Sequence, residues 1–205
     1  MQGLTAIQAG FITSLRHAHC HRYVETLFLY HAAPVLRGAK PAALITLRPP
    51  CVEAWRKRRN ALLRATGLQT KEIATRRGAV LLLMYDEPAL CVRLRDERTV
   101  SLLAEYGYPA GCDPGEALAC LQARFTDQGF PHEVGIFLGY PAEDVWGFIV
   151  NEGRNCVCCR YWKVYHNAEQ AQETFRRMDE AYRAAMELLA EAAPIHIVAK
   201  RLKTA

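Results

Sequence analysis

Residues 79–85 read Ala-Val-Leu-Leu-Leu-Met-Tyr, the longest apolar run in the chain. It is strand-sized, far short of the roughly 18 apolar residues that span a bilayer. A strand that is apolar on both faces must be covered on both, so it belongs in the interior of a sheet. Arg76-Arg77-Gly78 separates this run from residues 71–75. A short gap with glycine between two such runs predicts a β-hairpin. The chain therefore has a sheet with a buried centre, and other elements must pack on it.

The remaining elements follow from local chemistry. Residues 4–32 read as helical, in one or two pieces, with a stop before Pro34, because a proline pushes its predecessor out of the α region. Residues 42–47 form a strand, and residues 51–65 a helix that ends at Gly67. Helices follow over 87–94, from the Asp96 cap to Tyr106, and from the Asp113-Pro114 cap to about 126. The last third alternates: strand 134–138, helix 141–150, strand 157–165, then a long helix capped by Asn167 and running to about 191. Strand–helix–strand from 134 to 165 predicts a parallel, right-handed crossover. The expected class is α/β or α+β, with a mixed β-sheet, a C-terminal right-handed βαβ unit, flanking helices and a helical N-terminus. With 205 residues, 51% hydrophobic and 23% charged, the chain reads as a single domain over 1–205, with 1–32 packing on its core. That composition excludes a mainly disordered chain, a collagen-like repeat and a disulfide-stapled mini-protein.

No segment reads as a secretory signal, so the expected compartment is the cytoplasm, where the eight cysteines stay reduced. A net charge of +5 and one basic run, Arg56-Lys57-Arg58-Arg59, suit a solvated helix face better than a nucleic-acid interface. Neither nucleic acid nor membrane is an expected partner; a homo-oligomer is compatible with exposed sheet edges.

Three groups of residues could carry chemistry. Cys156, Cys158 and Cys159 lie at the start of the last predicted strand, and His132 and Glu133 at the start of its parallel neighbour. Thiolate, imidazole and carboxylate together suit iron or zinc, or a thiol activated by a base. The alternative is that the cysteines are packing residues. The opposite strand ends carry Tyr140, Lys163 and Tyr165, where ligands bind in open α/β sheets, so these residues could line a pocket for a small molecule. His17 and His21, four apart on a helix, form a weaker metal pair, without the glutamate of the His-Glu-x-x-His pattern.

Three segments go further: Phe130 to Asn151 with its Pro-His-Glu-x-Gly-x-Phe-Leu-Gly-Tyr-Pro-x-Glu-Asp-Val pattern, Tyr161-Trp162-Lys163-Val164-Tyr165, and Ala33-Pro34 through Lys40-Pro41. Together they resemble a family of uncharacterised proteins of anaerobic bacteria, a domain of unknown function whose genes often lie near flavodoxin-type and iron-responsive genes. The resemblance spans nearly the whole chain and implies a role in iron or redox physiology, with a flavodoxin-type redox protein or a small molecule as partner. It carries over no catalytic residue. Many members have a cysteine just ahead of the Ala-Pro segment, where this chain has His31-Ala32-Ala33. Two expectations result: a cytosolic metal- or thiol-dependent accessory protein of iron/redox physiology, or a non-enzymatic small-molecule-binding or regulatory module.

Overall fold

A computed structural model gives the architecture and describes residues 20–125 and 129–204. The class is α+β: nine helices among the described residues surround a small antiparallel sheet. In chain order these are α1 (Cys20–Leu36), β1 (Ala42–Leu47), α2 (Pro49–Thr66), β2 (Gln69–Arg76), β3 (Ala79–Tyr85), α3 (Glu87–Leu94), α4 (Glu97–Ala104), α5 (Pro114–Arg124), α6 (Val134–Phe137), α7 (Ala142–Val150), β4 (Cys158–Cys159), β5 (Lys163–Val164), α8 (Ala168–Ala190) and α9 (Ile195–Thr204).

β3 is the central strand of a three-stranded sheet ordered β1-β3-β2, all antiparallel. Its apolar residues divide by the period-2 rule. Val80, Leu82 and Met84 join Ala43, Ile45 and Leu47 of β1 in one core with α1, α2, α8 and α9. Leu83, with Leu81 and Tyr85 partly buried beside it, faces the other way into a second core built on α3 to α7. The run that is apolar on both faces is thus covered on both. The β2–β3 turn places Arg77 at φ 48° and Gly78 at φ 76°, the two positive φ values a tight hairpin needs. A bulge between Glu72 and Ala74 lets Ile73 reach the second core.

Three predicted helix caps form as read: Asp96, Asp113 and Asn167 each accept a backbone N–H in the first turn they cap. Asp113 and Glu116 complete a reciprocal capping box.

Three expectations are corrected. α1 does not stop before Pro34; it runs to Leu36 with Pro34 inside. A proline in the last turn forfeits one intrahelical bond, and here Ala33, Pro34 and Val35 are buried in the core. Residues 134–138 are not a strand but a single helical turn, α6. Val134, Gly135, Ile136 and Phe137 are all buried, so the run shows neither strand nor helix period. Residues 157–165 are not one strand either: Cys158 and Cys159 pair antiparallel with Val164 and Lys163 across a tight turn. The right-handed βαβ unit therefore does not exist, and the α7 connection joins a helical turn to a small hairpin.

Candidate functional site

Asp144 holds the C-terminal half together. It lies in the first turn of α7 and is 3% exposed. Its carboxylate accepts from the Trp162 indole N–H at 2.8 Å, from the Tyr165 backbone N–H at 2.7 Å and from the His166 backbone N–H at 2.9 Å. An inward carboxylate with three donors fixes the β4–β5 hairpin to α7. Trp162 in turn stacks on Tyr140 with centroids 4.9 Å apart, and its edge meets Phe175 of α8 at 4.4 Å.

Lys40 extends this contact: its ammonium lies 5.9 Å from the Tyr140 ring centroid. The Lys40-Pro41, Gly-Tyr-Pro and Tyr-Trp-Lys segments that carry the family resemblance thus meet at one place. Burial holds Lys40 down to about 8, and burial, then Lys40, holds His31 down to about 4. Both groups take up protons more readily in the unfolded chain. His31 should therefore cost stability as the pH falls from its ordinary 6.5 through about 4. Lys40 imposes its cost below about pH 8, and relief comes between about 8 and 10.5. Lys40→Met should raise stability at neutral pH by roughly 2 kcal/mol, allowing for the partial exposure of the side chain. Urea unfolding across this pH range should show the gain fading towards pH 10.5.

The predicted site residues separate. Glu133, 1% exposed, pairs with Arg124 and accepts from the Tyr108 hydroxyl at 3.3 Å. His132 is exposed and sets its ring against Phe148 at 5.0 Å. Cys158 packs against the first core, and Cys159 is exposed. With no parallel strand pair, nothing draws His132 and Glu133 to the cysteines. Among the described residues no group of three or more His, Cys, Asp or Glu is placed to hold a metal ion. His21 lies on the wall of a cavity of about 820 Å³ between α1, α2 and the start of α9. Two of the cations on its wall are paired, Arg58 with Glu25 and Lys57 with Glu53. His17 lies outside the described residues.

Of the three predicted pocket residues, one reaches a cavity. Tyr140 is spent on Trp162, and Lys163 donates to the Gly153 carbonyl at 2.5 Å while facing the Phe148 ring. Tyr165 lines a cavity of about 900 Å³ between α4 and α7. Arg98, Ser101, Trp146, Asn151 and His166 line it too. Gly147 makes this geometry: a Cβ there would come within 2.6 Å of the Tyr165 ring, so glycine lets that side chain approach α7 this closely. The Tyr165 hydroxyl is enclosed and has no hydrogen-bond partner. Burial raises its pKa, and Cys156, Cys159 and Asp144 add to the rise. Trp146 is 53% exposed at the rim, and Arg98 pairs with Glu143 across the α4–α7 gap.

Sequence reasoning missed Trp146, Arg98, Ser101 and Asn151, which come from α4 and from α7 with its C-cap and share no motif. It also passed over a spacing in plain view: two residues separate Cys156 from Cys159, a Cys-x-x-Cys pattern. The strand-alternation reading concealed it.

Fold and site together define a small α+β protein with an open, mixed-polarity cavity between two helices. The chain belongs to the family described as "Protein of unknown function (DUF3793)", whose model matches residues 28–199. No match was found among curated proteins or among solved structures. No helix among the described residues is long and apolar enough to cross a membrane.

Proposed function

We propose that this chain is a small-molecule-binding module whose site is the α4–α7 cavity. The observation that carries the reading is the Tyr165 side chain, which lines this cavity and whose enclosed hydroxyl has no partner. A buried polar group without a partner costs about 1–3 kcal/mol, a cost that a ligand atom can remove by hydrogen bonding to it. At about 900 Å³, the cavity falls in the range of sites for small ligands. Its lining selects the ligand class. Trp146 offers an aromatic face, and Tyr165, Ser101, Asn151 and Asn155 offer neutral polar groups. Glu97, Glu105 and Glu143 outnumber Arg98, so the field opposes phosphates. A neutral planar heterocycle with polar edges, such as a free nucleoside, fits this set.

Thermal unfolding with adenosine, guanosine, uridine and cytidine tests the reading, with the triphosphates as charged controls. A nucleoside at about ten times its Kd should raise Tm by roughly 3–5 °C, and its triphosphate by less. Tyr165→Phe should leave the free protein as stable or slightly more stable, because it deletes an unpaired hydroxyl, yet should reduce the ligand-induced rise. Nucleosides that leave Tm unmoved, or that raise it equally in Tyr165→Phe and Trp146→Ala, would overturn the proposal.

A further inference from the structure

Past the C-terminal end of α1, three cations wall one small cavity. Arg37 and Gly38 follow α1, Arg177 lies on α8 and Lys203 in the last turn of α9. Together with Glu180 of α8 they line a cavity of about 330 Å³. Arg177 donates through Nη2 to the Gly38 carbonyl at 2.9 Å, which holds its guanidinium beside the residue that follows Arg37. The Arg37 Nη1 is enclosed and has no hydrogen-bond partner. Among the described residues no ion pair engages Arg37, Arg177 or Lys203. Glu180, the carboxylate on this wall, pairs with Arg176, which pairs with Glu173 as well. Cations near helix C-termini often serve only to offset the helix dipole. Lys203 does so: its ammonium lies 3.3 Å from where a Cβ would stand on Gly67, the C-cap of α2. Arg37 does not, because its enclosed Nη1 meets no helix carbonyl. An enclosed cationic N–H without an acceptor is costly, and like charges around one cavity repel. An anion in the cavity removes both costs.

We infer that this cavity binds a small phosphate, either inorganic phosphate or the phosphoryl group of a small monoester. The arrangement of the charges selects the ligand. A planar carboxylate has two oxygens, which a single arginine fork satisfies. Cations that arrive from the end of α1, from α8 and from α9 suit a tetrahedral anion, whose oxygens point to several sides. The two guanidinium groups supply fixed forks of N–H donors, and Lys203, exposed at the rim, supplies a point charge that can swing onto the anion. Glu180 opposes the anion, and Arg176 offsets it. The cavity shares no lining residue with the one between α4 and α7, so neither reading depends on the other. A nucleoside triphosphate that raised Tm through this site would lose that rise in Arg37→Met, whereas the nucleoside would keep its own.

Isothermal titration calorimetry of the full chain in low-salt, phosphate-free buffer tests this. The probes are inorganic phosphate and glycerol 3-phosphate, with sodium chloride at matched ionic strength as control. Binding should saturate at one equivalent per chain with a Kd of about 1 mM or tighter, and the tighter probe shows which form of phosphate the site takes. Arg37→Met and Lys203→Met should each weaken binding by roughly fivefold or more, because each removes a cation. Glu180→Gln should tighten it by about threefold, because it removes the opposing charge on the wall. A gain in affinity cannot come from a folding defect, so the test holds even where Arg37→Met folds poorly. Arg22→Met, at the separate cavity between α1, α2 and the start of α9, should change nothing. Absence of saturable binding by both probes would overturn the proposal. So would binding that Lys203→Met and Glu180→Gln leave unchanged, or that Arg22→Met abolishes.

Discussion

Asp144→Ala is expected to remove about 3–5 kcal/mol of stability, measured by urea unfolding. The estimate rests on what the side chain leaves behind. The Trp162 indole and the backbone N–H groups of Tyr165 and His166 would all lose their acceptor in a site that is almost closed to water. Each buried donor left without a partner costs about 1–3 kcal/mol. Water entering the new space returns part of that. Asp144→Asn should cost about half as much: its carbonyl can still accept from the two backbone groups, while its amide N–H₂ faces the indole N–H. The Trp162–Tyr140 stack depends on this acceptor, so near-ultraviolet circular dichroism should weaken in both variants. A loss below about 1 kcal/mol for Asp144→Ala would mean that the hairpin is held by packing alone.

Glu133→Ala should be the second most damaging change, at roughly 3 kcal/mol. Removing this carboxylate strands the Arg124 guanidinium and the Tyr108 hydroxyl. Arg124 is 36% exposed and can turn to solvent, which sets this cost below that of Asp144→Ala. The double change Glu133→Ala/Arg124→Met should recover part of the loss, because deleting both charges is cheaper than stranding one. If Glu133 instead served a metal ion, its removal would release metal while Arg124→Met alone left stability unchanged. The buried ion pair predicts the reverse: Arg124→Met destabilises.

The parts of the fold that were legible were those with local chemical causes. Asp96, Asp113 and Asn167 announce helices because a cap needs one side-chain oxygen and nothing distant. Residues 79–85 announce a central strand because their composition demands cover on both faces. Val134–Phe137 was illegible because a turn buried all round erases the period that distinguishes helix from strand. The β4–β5 hairpin was illegible because its turn, Arg160-Tyr161-Trp162, has no glycine, asparagine or proline to mark it. α9 was legible but unread: Ile195, Val198, Ala199 and Leu202 follow Pro194 at helical spacing.

The site was legible in one residue only. Tyr165 was picked as a pocket residue through a parallel-strand argument that the antiparallel hairpin invalidates. It reaches the cavity for another reason: Asp144 binds its backbone and Gly147 clears its ring. A cavity walled by α4, α7 and the loop after β5 depends on tertiary placement, which no spacing in the sequence encodes.

The most direct test of the cavity uses the chain's three tryptophans. Protein labelled with ¹⁵N at the indoles should give one signal each from Trp55 in the core, Trp162 on Asp144 and Trp146 at the cavity rim. Titration with the nucleoside that raises Tm most should move the Trp146 signal in a saturable way, with a smaller shift at Trp162 and none at Trp55. A Trp146 signal that stays fixed at saturating nucleoside, or a shift confined to Trp55, would contradict the placement of the binding site between α4 and α7.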